Sequence, residues 1–425
     1  MNEPRLINDC FLHDQERLRH HEAVAILRAN LSTVVGTETI NSSDALGRVL
    51  AQDIIAPHAV PLHRNAAVDG YAFAHVDLVR QRLPISNKIA AGDTAIAPLK
   101  AGTAVRIFTG APMPNGADSV AMQEDCTTDV DFVTLPLGLK SGANCRLAGE
   151  DLEKGDVAVE KGTRLRPVHA AALASVGAAQ VAVYKKLRVT LLSSGNELRT
   201  PGDQKGELIT GEVWDTNAAM LRGLLAALPV ELVHQSIIQD NEAVVRNALE
   251  LASTKCDLII TTGGASRGQE DHMLSCLDAL GKRHLWQLAI KPGRPMMFGQ
   301  IQKVEGSDCL YLGLPGNPVA AFVCFLLYGR EMVLRLAGAN PQPIAAFMVP
   351  ANFEITSKKP DRREFLRGVL TTNETGELAV ERFPRDGSGL ISSLTQSHGL
   401  IEIDEETTSL NRGTPVRFLP YSSFD

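Results

Sequence analysis

The sequence predicts a multidomain α/β plus β protein built around a central, doubly wound, mostly parallel sheet. Three observations carry that prediction. Strand-like and helical stretches alternate from Leu187 to Gly338, as expected of a parallel sheet covered on both faces. Leu258-Ile259-Ile260 is an unbroken apolar run closed by Thr261-Thr262-Gly263-Gly264, which suits a strand buried on both faces and then a glycine turn. After Ala339 the helical pattern disappears and short β-type runs replace it. At 425 residues the chain exceeds one ordinary core, so roughly two to four domains are expected.

Taken in order, residues 14–30 carry an amphipathic helical pattern, and the alternation from Gly47 to Ile55 reads as a strand ending before Pro57. Asp69-Gly70 is a turn dipeptide, either a hairpin turn or a loop offering a carboxylate to a ligand. From Ala74 to Cys145 the chain is rich in Gly and Pro, with β-type runs at 104–108, 119–123 and 131–135, and the domain drawn around it spans 61–145. This predicts a small β domain inserted into a discontinuous N-terminal domain of residues 1–60 and 146–185. There, 155–159 and 163–165 suggest a hairpin, and Pro167 opens a helix running to Gly177. Residues 186–338 form the α/β domain. Its strands are expected at 187–192, 230–238, 258–260, 284–291, 298–301 and 310–312. Its helices are expected at 216–228, capped by Asp215 or Thr216, and at 242–253 and 273–280. A long buried helix starts at Pro318, with Asn317 as cap, and ends at Gly338. Residues 339–425 read as an all-β domain, plausibly a small barrel, with strands near 347–349, 364–370, 377–380, 400–403 and 416–419.

Composition narrows the function. The chain is 44% hydrophobic and 21% charged, ordinary for a soluble globular protein. Its formal net charge of −7 and the lack of a dense Lys/Arg block give no reason to expect nucleic acid as a partner. The seven cysteines are scattered without a Cys-x-x-Cys pair, which suits reduced thiols in the cytoplasm and makes a zinc site unexpected. The N-terminus lacks a signal-peptide core, and the longest apolar run, Val319–Tyr328, is short of the ~20 residues that cross a bilayer.

In an open α/β sheet, ligands sit at the carboxyl ends of the strands. The loops expected there hold Glu197, Asp240, Asp271 and Lys291 with Arg294. Carboxylates and cations on one rim suit a phosphate held with Mg²⁺, which takes one or two carboxylates plus phosphate oxygens. Glycine turns and a helix start let backbone N–H groups approach an anion. Each charge alone is more often a solvated loop residue; their shared place at strand ends gives the set its meaning.

A further ordered set of motifs runs along the chain: NAAVDGYAF (65–73), TGAPMPNGADSVAMQE (109–124), SSGNEL (193–198), DTNAAML (215–221), TTGGASRGQED (261–271), IKPGRP (290–295), GLPGNPVAAF (313–322), REFLRG (363–368) and GSGLISSL (387–394). Together they resemble the MoeA family of molybdopterin molybdenumtransferases, whose animal relative is the E domain of gephyrin. The resemblance implies four domains, the third like MoaB and MogA, and a homodimer with its active site at the subunit interface. It implies a cytoplasmic transferase that inserts molybdate into adenylylated molybdopterin with Mg²⁺, releasing AMP and molybdenum cofactor. A molybdopterin adenylyltransferase and molybdoenzymes or cofactor carriers are the protein partners it brings into view.

Carried over by motif, Asp69, Thr109, Glu197, Asp240, Asp271, Lys291 and Arg294 are the catalytic candidates, with Asp240, Asp271 and Glu197 as metal ligands. Gly263, Gly264, Ser266, Pro315, Gly316 and Pro318 would shape the pterin and phosphate loops. Arg362 or Arg367, with Ser393, would complete a molybdate pocket, and the motifs do not choose between the arginines. Four positions depart from the family pattern: Arg64, Asn196, Arg294 and the loop carrying Arg267. Arg294 stands where a second lysine is usual and keeps the charge in a planar fork. Two other readings are an adenylyltransferase of the preceding step and a non-enzymatic molybdopterin-binding scaffold; the flanking domains and the absence of further ones argue against them.

Overall fold

The computed structural model describes residues 17–202, 207–263, 272–293, 295–303, 308–373 and 376–424. In the first part of the chain, α1 (His20–Asn30), β1 (Thr37–Asn41), β2 (Ile54–Ile55) and β3 (Asn65–Ala66) precede a run of short strands. These are β4 (Gly70–Phe73), β5 (Arg82–Ile89), β6 (Ala104–Ile107), β7 (Ser119–Met122), β8 (Thr127–Thr128) and β9 (Phe132–Thr134). Then come β10 (Cys145–Arg146), β11 (Val157–Val159), α2 (Pro167–Ser175) and β12 (Gln180–Tyr184). The strands β4 to β9 form one six-stranded sheet of order β7-β4-β6-β5-β9-β8. Where the chain enters and leaves it, β3 pairs antiparallel with β10. Outside that excursion β1 pairs with β12 and β2 with β11. They enclose a separate apolar cluster that includes Leu50, Ile54, Leu173, Val181 and Val183.

Two expectations fail here for one physical reason. The alternation from Gly47 to Ile55 does not become a continuous strand: Val49 bridges Arg164, Leu50 bridges Val183, and Ile54–Ile55 pair with β11. Alternation records burial on opposite sides, and here successive residues reach different partners. The anticipated 155–165 hairpin is absent because both of its arms pair with this earlier segment instead. β4 likewise does not fold back on β3. It lies between β6 and β7, so Asp69 sits in a bend between strands of different sheets.

The next region contains β13 (Leu187–Ser194), β14 (Leu198–Arg199), β15 (Val213–Trp214), α3 (Thr216–Ala226), β16 (Val230–Ile238), α4 (Glu242–Lys255) and β17 (Leu258–Thr262). It continues with α5 (His272–Leu280), β18 (Gly281–Gln287), β19 (Ile290–Lys291), β20 (Pro295–Ile301) and β21 (Cys309–Leu314). Last come α6 (Pro318–Cys324), a π turn over Phe325–Gly329, and α7 (Arg330–Leu336). The sheet runs β16-β13-β17-β21-β20-β18. β13 is parallel to both neighbours and β17 to β21, whereas β20 and β18 are antiparallel. The strand order reverses direction at β13–β17, which makes their carboxyl ends a topological switch point.

Apolar residues of single strands divide between two cores at a period of two. Leu258 and Ile260 face one core and Ile259 the other; Leu310 and Leu312 face the first and Tyr311 the second. This is why these strands read as continuous hydrophobic runs. Asp215 caps α3, its Oδ1 accepting from Ala218 N–H at 2.9 Å. Asn317 stands at the start of α6 without a side-chain capping bond, and its place there rests on Pro318 at N1.

The expected strand 284–291 is divided. β18 ends at Gln287 as the outer arm of an antiparallel pair with β20, and β19 turns away to pair in parallel with a C-terminal strand. That C-terminal region comprises β22 (Phe347–Pro350), β23 (Arg363–Thr372), β24 (Leu378–Arg382), α8 (Ser392–Thr395), β25 (Gly399–Ile403) and β26 (Pro415–Pro420). Its sheet runs β19-β23-β25-β26-β22, with β24 on β23. A bridge from Ala351, just past β22, reaches Val380 of β24. Val349, Leu366, Val380, Ile401 and Phe418 pack together inside it. No helix among the described residues is long and apolar enough to cross a membrane.

Candidate active site

The carboxyl ends of β13, β17 and β21 open into a cleft of about 520 Å³. Ser194 and Glu197 come from the β13 end, Thr262 and Gly263 from β17, and Gly316 and Pro318 from the β21–α6 turn. Trp214, Asp215, Thr216 and Asn217 close another side at the start of α3. The positive end of α3 thus borders the cleft, the setting that receives anionic groups, with its Ala218 N–H already taken by Asp215. Gly389 and Ile391 bring part of the C-terminal region to the rim. That segment is tied down where Val319 N–H donates to the Ser388 carbonyl at 2.9 Å.

Gly263 must be glycine. Its φ is +84°, and a Cβ would fall 2.4 Å from the Ser194 carbonyl oxygen. The β17 turn therefore lies directly on the end of β13. Gly263→Ala is expected to lower the free energy of unfolding by about 2–4 kcal/mol, read from the urea midpoint, and to deform the cleft. A stability equal to that of the parent chain would refute this account of the turn.

Asn217 locks the three loops together. It is 7% exposed, and its Nδ2 donates to Thr262 Oγ1 at 2.6 Å and to the Gly316 carbonyl at 2.7 Å. The DTNAAML motif contained it, but periodicity assigns it only to a helix start; that it ties loops together requires the tertiary structure. Ser194, Thr262 and Asp215 also line the cleft without having been singled out. Their common signal was position at a strand end or helix start.

The anticipated residues fall into separate groups. Glu197, Gly263, Gly316 and Pro318 share the cleft, and Pro315 is buried beside it. Asp240 follows β16 at the neighbouring strand end, its N–H bound to Asn196 Oδ1 at 3.1 Å. It does not line the cleft, and the Asn196 side chain here anchors a backbone instead of facing a ligand. Gly264, Ser266, Asp271 and Arg294 lie outside the described residues. Among the described residues no cluster of three His, Cys, Asp or Glu side chains forms a ready metal cage. Glu197 and Asp240 do supply the hard oxygen donors that Mg²⁺ prefers when phosphate and water complete its shell.

Lys291 does not occupy the carboxyl end of a parallel sheet strand, as the sequence reading had placed it. It belongs to β19, opposite Glu364 of β23, with Nζ 3.5 Å from Glu364 Oε2. Arg362 Nη2 meets Glu364 Oε1 at 2.9 Å. Arg367 lies in the middle of β23, 6% exposed, and its Nε donates to Ser393 Oγ at 3.2 Å. Its Nη2 donates to the Arg385 carbonyl at 3.3 Å. Of the two arginines left open, Arg367 is the one beside Ser393. Burial lowers its pKa from the ordinary range, and no carboxylate among the described residues lies within ion-pair distance of it. Ser393 is two residues from Ile391 on the cleft rim, so this buried cation sits close behind the cleft in the chain.

Asp69 and Thr109 form the third group. Asp69 Oδ1 accepts from both Thr109 N–H and Thr109 Oγ1, each at 2.7 Å. These bonds, the backbone one foremost, hold its carboxyl below the usual carboxylate range. The Thr109 hydroxyl is thus spent on Asp69. Arg106, stacked over the Tyr71 and Phe108 rings at 5.0 Å, adds a nearby positive charge. The cleft-lining residues include none from this inserted sheet.

Three stretches of the chain match described families. Residues 18–177 match the MoeA N-terminal region (domain I and II), residues 190–335 a probable molybdopterin binding domain, and residues 349–421 the MoeA C-terminal region (domain IV). A molybdopterin molybdenumtransferase of Haemophilus influenzae is 36% identical over 394 residues, covering 91% of this chain and 94% of that protein. One of Bacillus subtilis is 31% identical over 397 residues, covering 90% and 89%. Among solved structures, the molybdopterin biosynthesis moeA protein from Pyrococcus horikoshii OT3 superposes with a TM-score of 0.79 at 28% identity, covering 96% of this chain and all of that one.

Proposed function

The chain belongs to the MoeA family of molybdopterin molybdenumtransferases, transferases of molybdenum cofactor biosynthesis, and from that premise we propose a division of labour among its residues. Molybdate is inserted into adenylylated molybdopterin, and the adenylate is cleaved with release of AMP. The observation that carries this reading is the cleft at the β13–β17 switch point, with a buried Arg367, without an ion-pair partner among the described residues, behind one rim. The cleft suits the pterin and its phosphate: glycine turns and the α3 start present N–H groups, and Asn217 fixes the loops that carry them. Arg367 and Ser393 suit molybdate, a tetrahedral oxyanion that needs converging donors. Arg362 is the weaker candidate because Glu364 already pairs with it.

Glu197 and Asp240, with Asp271, would hold Mg²⁺, whose contribution when bound is to neutralise charge on the phosphate oxygens. Lys291, with Arg294, would face the departing phosphate. Asp69, kept ionised by Thr109, is positioned to orient donors of the substrate and is supplied by a second copy of the chain. The same reading divides the chain at 60/61, 145/146, 185/186 and 338/339, takes the β22–β26 sheet closed through Ala351 as a small barrel, and places the homodimer in the cytoplasm.

An adenylyltransferase reading predicts ATP consumption. The present reading predicts AMP release that requires molybdate and no ATP, is lost on chelation of Mg²⁺, and yields active cofactor. Incubation with molybdopterin-AMP, followed by chromatography of AMP and reconstitution of a molybdoenzyme, separates the two. Adenylation of free molybdopterin by the purified chain would overturn the assignment.

A further inference from the structure

The carboxylate of Glu364 occupies an unusual place. It is 8% exposed, and its two oxygens go to different cations, Oε2 to Lys291 Nζ at 3.5 Å and Oε1 to Arg362 Nη2 at 2.9 Å. The strand register fixes this: β19 and β23 are parallel, with Lys291 opposite Glu364. Arg362 Nε is buried and without a hydrogen-bond partner, so Glu364 leaves part of that guanidinium unsatisfied. Lys358 also adds positive potential nearby, although its ammonium donates to the Asp404 and Glu405 carbonyls at 2.7 and 3.4 Å. The adjacent Arg363 is neutralised separately by Glu402 and Glu405. One carboxylate therefore bridges two cations, the arrangement an oxyanion would itself adopt between them.

We propose that Glu364 is a positioning residue that doubles as an internal counterion: it keeps Lys291 and Arg362 aimed at the site and, by occupying both, limits how tightly an oxyanion binds there. This rests on the reading that Lys291 faces the anions of the reaction. A site with two unopposed cations would retain its product anion; a resident carboxylate competes for the same donors and returns them after each turnover.

The test is equilibrium binding of inorganic phosphate to the full chain and to Glu364→Gln at two ionic strengths. The variant is expected to bind it at least about tenfold more tightly, ~1.4 kcal/mol, with a steeper loss of affinity in salt. In turnover, KM for molybdopterin-AMP and kcat should fall together, a pattern that a purely structural carboxylate would not produce. Glu364→Asp, with a shorter reach toward Lys291, should give a tightening of about two- to threefold and serves if Glu364→Gln does not fold. In a Lys291→Ala background the Glu364 substitution should lose most of its effect. Weaker or unchanged anion binding in a folded Glu364 variant overturns the proposal. Tightening without any AMP release from the parent chain would leave the counterion role standing and defeat the activity assignment instead.

Discussion

Arg367→Met should reduce molybdate-dependent AMP release at least about a hundredfold, about 2.7 kcal/mol, while binding of molybdopterin-AMP stays within a few-fold. The argument is one of buried charge without an ion-pair partner. Burying a guanidinium costs several kcal/mol unless charge or hydrogen bonds offset it. Among the described residues Arg367 hydrogen-bonds neutral acceptors, Ser393 Oγ and the Arg385 carbonyl, and makes no ion pair; Asp386, itself paired with Arg382, offsets its charge only from a distance. A fold with no use for the charge would gain by replacing it with an apolar side chain, and methionine fills comparable volume in the same strand. Measured stability of Arg367→Met should therefore match or exceed that of the parent chain, even as turnover collapses. Arg367→Lys keeps the charge but loses the fork that reaches Ser393 and Arg385 together, so an intermediate loss is expected. Arg362→Met should cost less, because Glu364 already occupies that arginine. Equal loss in both methionine variants, or a loss of pterin binding in Arg367→Met, would refute the placement of molybdate.

Much of this arrangement was legible in the residues. The parallel strands announced themselves because burial on both faces leaves no polar alternation, and Leu258–Thr262 ends where its glycine turn begins. Pro167 and Pro318 marked helix starts because their missing N–H costs nothing at that position. What could not be read was pairing. Ile290 and Lys291 continue an apolar pattern from 284, and nothing local says that two residues leave one sheet to join another. That is why Lys291 was expected on the wrong rim. The same blindness affected Gly47–Ile55, where alternation was real but its partners were several. The choice between Arg362 and Arg367 likewise depended on Ser393, 26 residues beyond Arg367, a separation no periodicity spans. Asn217 and Glu364 were hidden because their roles lie in what they join.

Asp69→Asn should lower turnover about a hundredfold or more and, in mixture, should be rescued by a chain damaged elsewhere. Asp69 accepts two hydrogen bonds from Thr109 through one oxygen. Asparagine can keep those bonds with its own Oδ1, so the loop should hold its shape and only the charge is lost. The other half of the site is the cleft, and no cleft-lining residue comes from the inserted sheet that carries Asp69. If the reaction needs both groups, two copies must combine them, and a two-fold interface supplies each half-site twice. Asp69→Asn and Arg367→Met are then defects in different half-sites. Co-purified at equal amounts, random pairing makes about half the dimers mixed, each with one intact site of two, so activity should return to about a quarter of the parent level. Two defects within one half-site, Arg367→Met with Ser393→Ala on separate chains, should show no such recovery. Asp69→Asn together with Arg367→Met on one chain, mixed with an excess of parent chain, should leave the mixed dimers with no working site, because each site then draws one damaged half from the doubly substituted chain. Absence of recovery in the first mixture, with mixed dimers demonstrated by differential tagging, would place Asp69 and Arg367 in the same half-site and remove the need for a second copy.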